Sequence, residues 1–458
     1  MKKRQVAVPS VKKIWSAIQT WKCWKHYGKI EWLLIIVATV TILYVFLNLF
    51  TAATDSIPPP TLSKPITLSD LPDFEKTIAN TTNSSVQNSG PVTVLTNAEE
   101  FLPDLLTEIR GAKKSIYITD YIWEDGTLGN TVLAALAEKS KEGVAVRILL
   151  DGVSGRNASK ELLKEITDNG GKVGRFRPVS WSNITRLDRR THVRDFVIDG
   201  RVAYIGGVAL SDAWLGSATY ADHWHDFMFK VSGTMVHPAE TAFENMWSQT
   251  TGEILTVTTT AAPGERVGAS SATSATHFVP LFSFPSPDMS KNMEHFIWLS
   301  VQGANKSIRI TNPYLLPNSS IASALEEKAR AGVDVELLVP GTNIDSKYTR
   351  WASESFYKEL LDSGVKIYEY QPSRIHAKTL TIDGVWSVIG SANLDNRSSE
   401  INLELIYGVE DAKLATDIER NFSTDKTKAV EITSKQWRGG FSFMYPVRLV
   451  ARTLVHQF

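Results

Sequence analysis

The chain repeats itself. Gly111-Ala112-Lys113-Lys114-Ser115-Ile116-Tyr117-Ile118-Thr119 returns about 190 positions later as Gly303-Ala304-Asn305-Lys306-Ser307-Ile308-Arg309-Ile310-Thr311. Each copy runs into a tyrosine, Tyr121 or Tyr314, and then into an alanine-rich amphipathic stretch. That stretch is LAALAEKSKEGVAVRILLDG from Leu133 and ASALEEKARAGVDVELLVPG from Ala322. Both read as a helix, a glycine stop and a buried strand. ELLKEITDNGGKV from Glu161 and ELLDSGVKI from Glu359 continue the match. Strands alternating with helices imply an α/β fold with a largely parallel sheet in each copy. A period this long means a duplicated domain, with copies expected over 92–251 and 277–430. The Thr-, Ala-, Ser- and Gly-rich stretch 252–276 reads as the linker between them.

The chemistry lies later in each copy. HVRDFVIDGRVAYIGGVALSDA begins at His192 and HAKTLTIDGVWSVIGSANLDNR at His376. Each has a histidine, a basic residue two places on (Arg194, Lys378) and an Ile-Asp-Gly whose aspartate lies seven places on. On a strand, residues two apart share a face, which sets each imidazole beside a fixed cation. A phosphodiester calls for this combination: a nucleophile or proton carrier, and positive charge for the phosphoryl oxygens. With two copies, one imidazole can attack phosphorus while the other protonates the leaving alcohol. A lone histidine is usually structural; matched histidines with matched cations are not explained that way. Asp199 and Asp383 open the turns Asp199-Gly200 and Asp383-Gly384 and read as structural supports of the motif. Each imidazole also needs an orienting carboxylate. Asp226 follows His192 by 34 residues and Glu404 follows His376 by 28, so each is expected to serve the histidine of its own copy.

Outside the repeats, the amino terminus is distinctive. The chain carries 49 basic and 49 acidic residues, yet residues 1–30 hold Lys2, Lys3, Arg4, Lys12, Lys13, Lys22, Lys25 and Lys29 and no acid. WLLIIVATVTILYVFLNLF, residues 32–50, has no charge and 19 residues, roughly 28 Å as a helix. The segment 31–50 is therefore expected to be one transmembrane anchor. Its basic flank, 1–30, stays cytoplasmic and the remainder lies on the extracytoplasmic side. Residues 51–91, rich in Pro, Ser, Thr and Asn, read as a flexible spacer. The tail 431–458 mixes aromatics with Arg448, Arg452 and His456 and could lie on a membrane surface or pack on the domain. A single cysteine, Cys23, excludes an internal disulfide framework and a cysteine-based metal site. With 1–30 so basic, the rest is net acidic, which argues against nucleic acid as partner.

These motifs resemble the phospholipase D superfamily, whose signature is a duplicated His-x-Lys-x4-Asp. His376, Lys378 and Asp383 match it fully. Gly390-Ser391, Asn393, Asp395-x-Arg397-Ser398, Asn402 and Glu404 resemble bacterial cardiolipin synthases in particular. So do Asn312-Pro313-Tyr314, Pro317, Asp345 and Tyr368-Glu369-Tyr370, and in the first copy Tyr121, Asp125-Gly126 and Trp224-His225-Asp226. The resemblance covers roughly 92–440. It implies two α/β sandwich domains about a pseudo-twofold, sharing one cleft. It further implies a reaction without metal or cofactor, through a phosphohistidine, joining two phosphatidylglycerols into cardiolipin and glycerol. By position His192 is the nucleophile and His376 the general acid, although the symmetry of the motifs leaves their order open. Gly207, Ser391 and Asn393 are expected against the substrate. Three residues depart from the pattern: Arg194 replaces lysine, Ala209 replaces asparagine, and Val193 stands where a basic residue is usual. A phospholipase, a nuclease with the same two histidines, or a weakly active scaffold are the alternatives these departures leave. No sequence signal bears on oligomeric state.

Overall fold

The computed structural model describes residues 31–39, 41–42, 59–181, 187–256, 276–283 and 291–438. It divides into two compact units, Met1–Pro60 and Thr61–Phe458. In the first, 31–39 and 41–42 are helical and Leu33, Leu34, Ile35, Ile36, Val37 and Ile42 are exposed. Among the described residues no helix is long and apolar enough to cross a membrane. The remainder of the expected anchor, the basic segment 1–30, most of the stretch 252–276 and the tail beyond 438 lie outside the described residues.

The second unit opens with a difference from the sequence reading. The stretch 51–91, expected to be a spacer, contains helix α1 (Leu71–Thr81) and strand β1 (Gln87–Asn88). Leu71, Phe74 and Ile78 recur at helical spacing, and Pro72 suits the first turn. Phe74 and Ile78 are buried in the core of the second copy. Phe74 meets Trp386 edge-on at 5.1 Å. It also lies so close to Gly303 that a Cβ there would sit 2.3 Å from Phe74 Cε2. A full Phe burial is worth about 2–3 kcal/mol, enough to hold a short polar helix in place.

The first copy then supplies β2 (Val92–Thr96), α2 (Asn97–Gly111), β3 (Ser115–Asp120), α3 (Thr127–Lys141), β4 (Ala145–Asp151), α4 (Lys160–Asp168) and β5 (Lys172–Phe176). It finishes with β6 (Asp195–Ile198), β7 (Val202–Gly206), β8 (Trp224–His225), β9 (Phe227–Ser232) and α5 (Val236–Thr251). The second copy has β10 (His277–Ser283), α6 (Asn292–Gln302), β11 (Ser307–Thr311), α7 (Ser319–Arg330), β12 (Asp334–Pro340) and β13 (Lys366–Tyr370). It continues with β14 (Arg374–Ile375), β15 (Thr379–Ile382), β16 (Trp386–Gly390), β17 (Glu404–Glu410), α8 (Ala412–Lys426) and β18 (Ala429–Ile432).

One sheet runs β2-β9-β7-β6-β3-β4-β5 and the other β1-β10-β17-β16-β15-β11-β12-β13-β18. Strand for strand, the second repeats the first and adds an edge strand on each side. Only the β3-β4-β5 and β11-β12-β13 pairings are parallel; the rest of each sheet is antiparallel. The fold is thus mixed α/β, where a largely parallel sheet was expected. β18 pairs with β13 through Ile432, so the second sheet runs past the expected limit at 430. The glycine stops hold: Gly143 and Gly332 take φ of +86° and +94° after α3 and α7. Between the sheets, Val193, Val197, Phe229 and Phe243 of the first copy share one core with Ala377, Ile389, Leu405 and Tyr407 of the second.

The candidate active site

Two backbone bridges build the site. β8 pairs in parallel with β14, matching Trp224 with Arg374 and His225 with Ile375. Thr191 is bridged in parallel to Leu403. Hence the segment before each catalytic-motif histidine runs beside the residue before the other copy's carboxylate. His192 N–H donates to Leu403 O at 2.9 Å, and His376 N–H donates to His225 O at 2.7 Å. His192 and Arg194 lie just before β6, and His376 and Lys378 just before β15, in extended chain rather than within the strands. The alternation still holds. Val193 and Ala377 point into the core between the sheets, so the apolar Val193 is accounted for by packing.

This arrangement overturns the expected pairing of histidine and carboxylate. His192 Nδ1 lies 3.0 Å from Glu404 Oε1, and His376 Nδ1 lies 2.5 Å from Asp226 Oδ2. Each copy orients the imidazole of the other. Glu404 is further held by Ser391 Oγ at 2.5 Å and Ser398 Oγ at 2.6 Å. Asp226 accepts from Trp214 Nε1 at 3.1 Å and from the Phe227 amide at 2.9 Å. Trp214 also packs edge-on against His376, at 5.4 Å between rings.

Gly207 and Ser391, expected against the substrate, lie against the carboxylates. A Cβ on Gly207 would fall 2.2 Å from Asp226 Oδ1, whereas the longer Glu404 leaves room for the Ser391 hydroxyl. Asn393 is buried and its backbone amide donates to Ser398 Oγ at 3.0 Å; its side-chain Oδ1 has no partner. Ala209 is fully buried in the first copy's apolar core. Gly207→Ser is expected to displace Asp226 and with it His376. The cost is about 1–3 kcal/mol of stability and on the order of 100-fold in turnover. Thermal melts and lipid turnover beside Ser391→Gly, which removes the hydroxyl's hydrogen bonds to Glu404 and to the Leu405 backbone and adds no clash, check this.

Asp199 and Asp383 stand away from the rings. Both adopt a left-handed backbone, φ 55° and 54°. Asp199 accepts from the amides of Lys113, Lys114 and Ser115, and Asp383 from those of Asn305, Lys306 and Ser307. They fasten the turn after the motif to the start of the repeated Ser-Ile strand.

The cations crowd the imidazoles. Lys378 Nζ lies 2.9 and 3.0 Å from the two ring nitrogens of His376, and Arg194 Nη1 3.3 Å from His192 Nε2. All four groups are buried. Loss of water favours the neutral rings. Burial, then the Lys378 charge, hold His376 down at about 3. Burial also lowers His192, against the pull of Glu404. Lys378 falls to about 7 through burial, with Arg194 adding to it against Asp226. Burial pushes Asp226 and Glu404 up, but facing positive charge and hydrogen bonds outweigh it and both carboxyls end below their ordinary values. The result is a cleft in which Arg194 and Lys378 stand beside neutral ring nitrogens, with Asp226, Glu404 and Asp120 balancing their charge.

Sequence reasoning passed over Trp214 and Ser398 as carboxylate partners, and over His225. The His225 ring lies 2.8 Å from Asp425 Oδ2 and 3.0 Å from Asn97 Oδ1, with the same Asn97 oxygen accepting the Asp226 amide. Its place beside Asp226 in Trp-His-Asp was the available signal.

A duplicated sheet with two crossed histidine–carboxylate pairs is the arrangement of a phospholipase D-like protein. A family model described as "Cardiolipin synthase, PLD-like domain" matches residues 105–247 and 300–426, and the chain belongs to that family. It is 33% identical over 343 residues to cardiolipin synthase 2 of Bacillus anthracis, covering 74% of this chain and 65% of that protein. It is 31% identical over 357 residues to the cardiolipin synthase of Halalkalibacterium halodurans, covering 78% and 70%. The chain therefore spans just under two thirds of the length of some of these curated relatives. Among solved structures, phosphatidylserine synthase of Haemophilus influenzae Rd KW20 superposes with a TM-score of 0.63 at 15% identity, covering 83% of this chain and 97% of that one. That likeness concerns the fold.

Proposed function

We propose that this protein is a cardiolipin synthase-like phosphatidyl transferase that converts two phosphatidylglycerols into cardiolipin and glycerol through a phosphohistidine. The observation that carries the reading is the crossed pair of oriented, neutral imidazoles set between Arg194 and Lys378. Glu404 fixes the proton of His192 on Nδ1, which leaves the Nε2 lone pair to attack phosphorus. Arg194 and Lys378 take up the negative charge that grows on the phosphoryl oxygens. The negative charge of the phosphate entering the cleft raises the proton affinity of His376, whose Nε2 takes up a proton from water. As the P–N bond forms, the P–O bond to glycerol breaks, and His376 gives its proton to the departing glycerol oxygen. In the second half, neutral His376 takes the proton from a hydroxyl of the second phosphatidylglycerol. That oxygen attacks phosphorus, the P–N bond breaks, and His192 is restored. No metal or cofactor enters this scheme. We further propose that the segment 31–50 anchors the chain in the cell membrane, amino terminus in the cytoplasm, which keeps the catalytic unit among lipid headgroups.

The test is incubation of the purified full-length protein with phosphatidylglycerol vesicles, with products identified by mass spectrometry. Cardiolipin with an equivalent of glycerol is expected. Phosphatidic acid alone would replace transfer by hydrolysis, and no lipid product would overturn the reading. Arg194→Lys, which keeps the charge but not the planar fork, is expected to retain activity within about tenfold. A loss beyond about 100-fold would show that the site has been rebuilt around the guanidinium.

A further inference from the structure

At the other end of β17 from Glu404, roughly 20 Å along the strand, three ligating side chains converge. Glu75 comes from α1, His277 begins β10 and Glu410 ends β17. Phe278 pairs with Val409, which sets His277 beside Glu410. His277 Nδ1 is 3.3 Å from Glu75 Oε2 and 3.6 Å from Glu410 Oε2, and the three atoms all lie within 4.8 Å of one another. Glu75 is only 2% exposed, and its second oxygen, Oε1, has no hydrogen-bond partner.

Two carboxylates around one imidazole leave negative charge in excess even when the ring is protonated. A buried acid with an orphaned oxygen costs free energy unless something compensates it. A cation does so at once: it balances both carboxylates, uses the Nδ1 lone pair and gives the orphaned oxygen's carboxylate a partner. The spacing suits it. Nitrogen and oxygen ligands about 2.1 Å from a tetrahedral zinc lie about 3.4 Å from each other. An imidazole among carboxylates favours a borderline ion such as zinc over magnesium or calcium.

We propose that Glu75, His277 and Glu410 hold one divalent cation of the zinc class, which staples α1 to the β10–β17 ladder. The fourth position opens to solvent past the His277 side chain, which is 38% exposed. The site lies outside the catalytic cleft and its role is to fasten the segment that precedes the first copy.

Full-length protein stripped with chelator and dialysed would be titrated with zinc chloride, with bound metal and thermal unfolding measured. One ion per chain more than in the variants is expected, together with a higher melting temperature. At free zinc about 100 times the dissociation constant, the folded-to-unfolded ratio should rise about 100-fold. Glu75→Gln keeps the volume and removes the buried charge. It is expected to melt no lower than the parent without metal and to lose that stabilisation. His277→Ala, at a half-exposed position, is the second variant and is expected to lose it too. Absence of saturable zinc stabilisation in the parent, or the same stabilisation in both variants, would overturn the proposal.

Discussion

His376→Ala is expected to fold as the parent does and to lose about 10⁴-fold or more in the conversion of phosphatidylglycerol to cardiolipin. The fold survives because Asp226 keeps the Trp214 indole, the Phe227 amide and the charge of Lys378. The bridge between His376 N–H and His225 O is backbone and stays. Turnover collapses because the leaving glycerol loses the ring that gives it its proton. Mass spectrometry of the lipids beside a thermal melt reads both halves of the expectation. Activity within tenfold of the parent, in a variant that melts normally, would sink the shared-site account.

The crossed pairing yields the second large effect. Glu404→Gln should cost about 10³–10⁴ in turnover by disturbing the tautomer of His192, 212 positions away, and Asp226→Asn a similar amount through His376. The two variants should fail differently. With Glu404→Gln, acid quenching should trap little covalently bound phosphatidyl group, because the attacking lone pair is misplaced. Asp226→Asn should form the covalent species slowly and then retain it, since the base for the second step is impaired. The reverse pattern would exchange the roles of the two histidines. Equal trapping in both would mean that the carboxylates do not act through the rings they touch.

The repeat, both histidines, both cations and both carboxylates were legible in the sequence, because covalent spacing preserves them in matched order. The pairing was not. Sequence distance sets Asp226 nearer His192, but the Thr191–Leu403 and β8–β14 bridges carry each carboxylate across to the opposite copy. Such contacts form between segments that share no local pattern. The helix α1 was hidden for another reason. Polar residues dominate 51–91, and only Leu71, Phe74 and Ile78 reveal a face that needs burial. The antiparallel halves of the sheets were signalled by Asp199-Gly200 and Asp383-Gly384, whose three-residue connections between β6 and β7 and between β15 and β16 leave no room for a parallel crossover, but the alternation of strands and helices earlier in each copy dominated the reading. Trp214 lay outside every motif, and only its indole within reach of Asp226 shows its part.

The exchange of carboxylates also binds the histories of the two copies. After a duplication, one copy is ordinarily free to accumulate changes while the other carries on. Here a substitution at Asp226 is felt at His376, and one at Glu404, Ser391 or Ser398 is felt at His192. Neither copy can be inherited in working order without the other. Drift is left to positions whose contacts stay at home, such as Ala209 within the first apolar core.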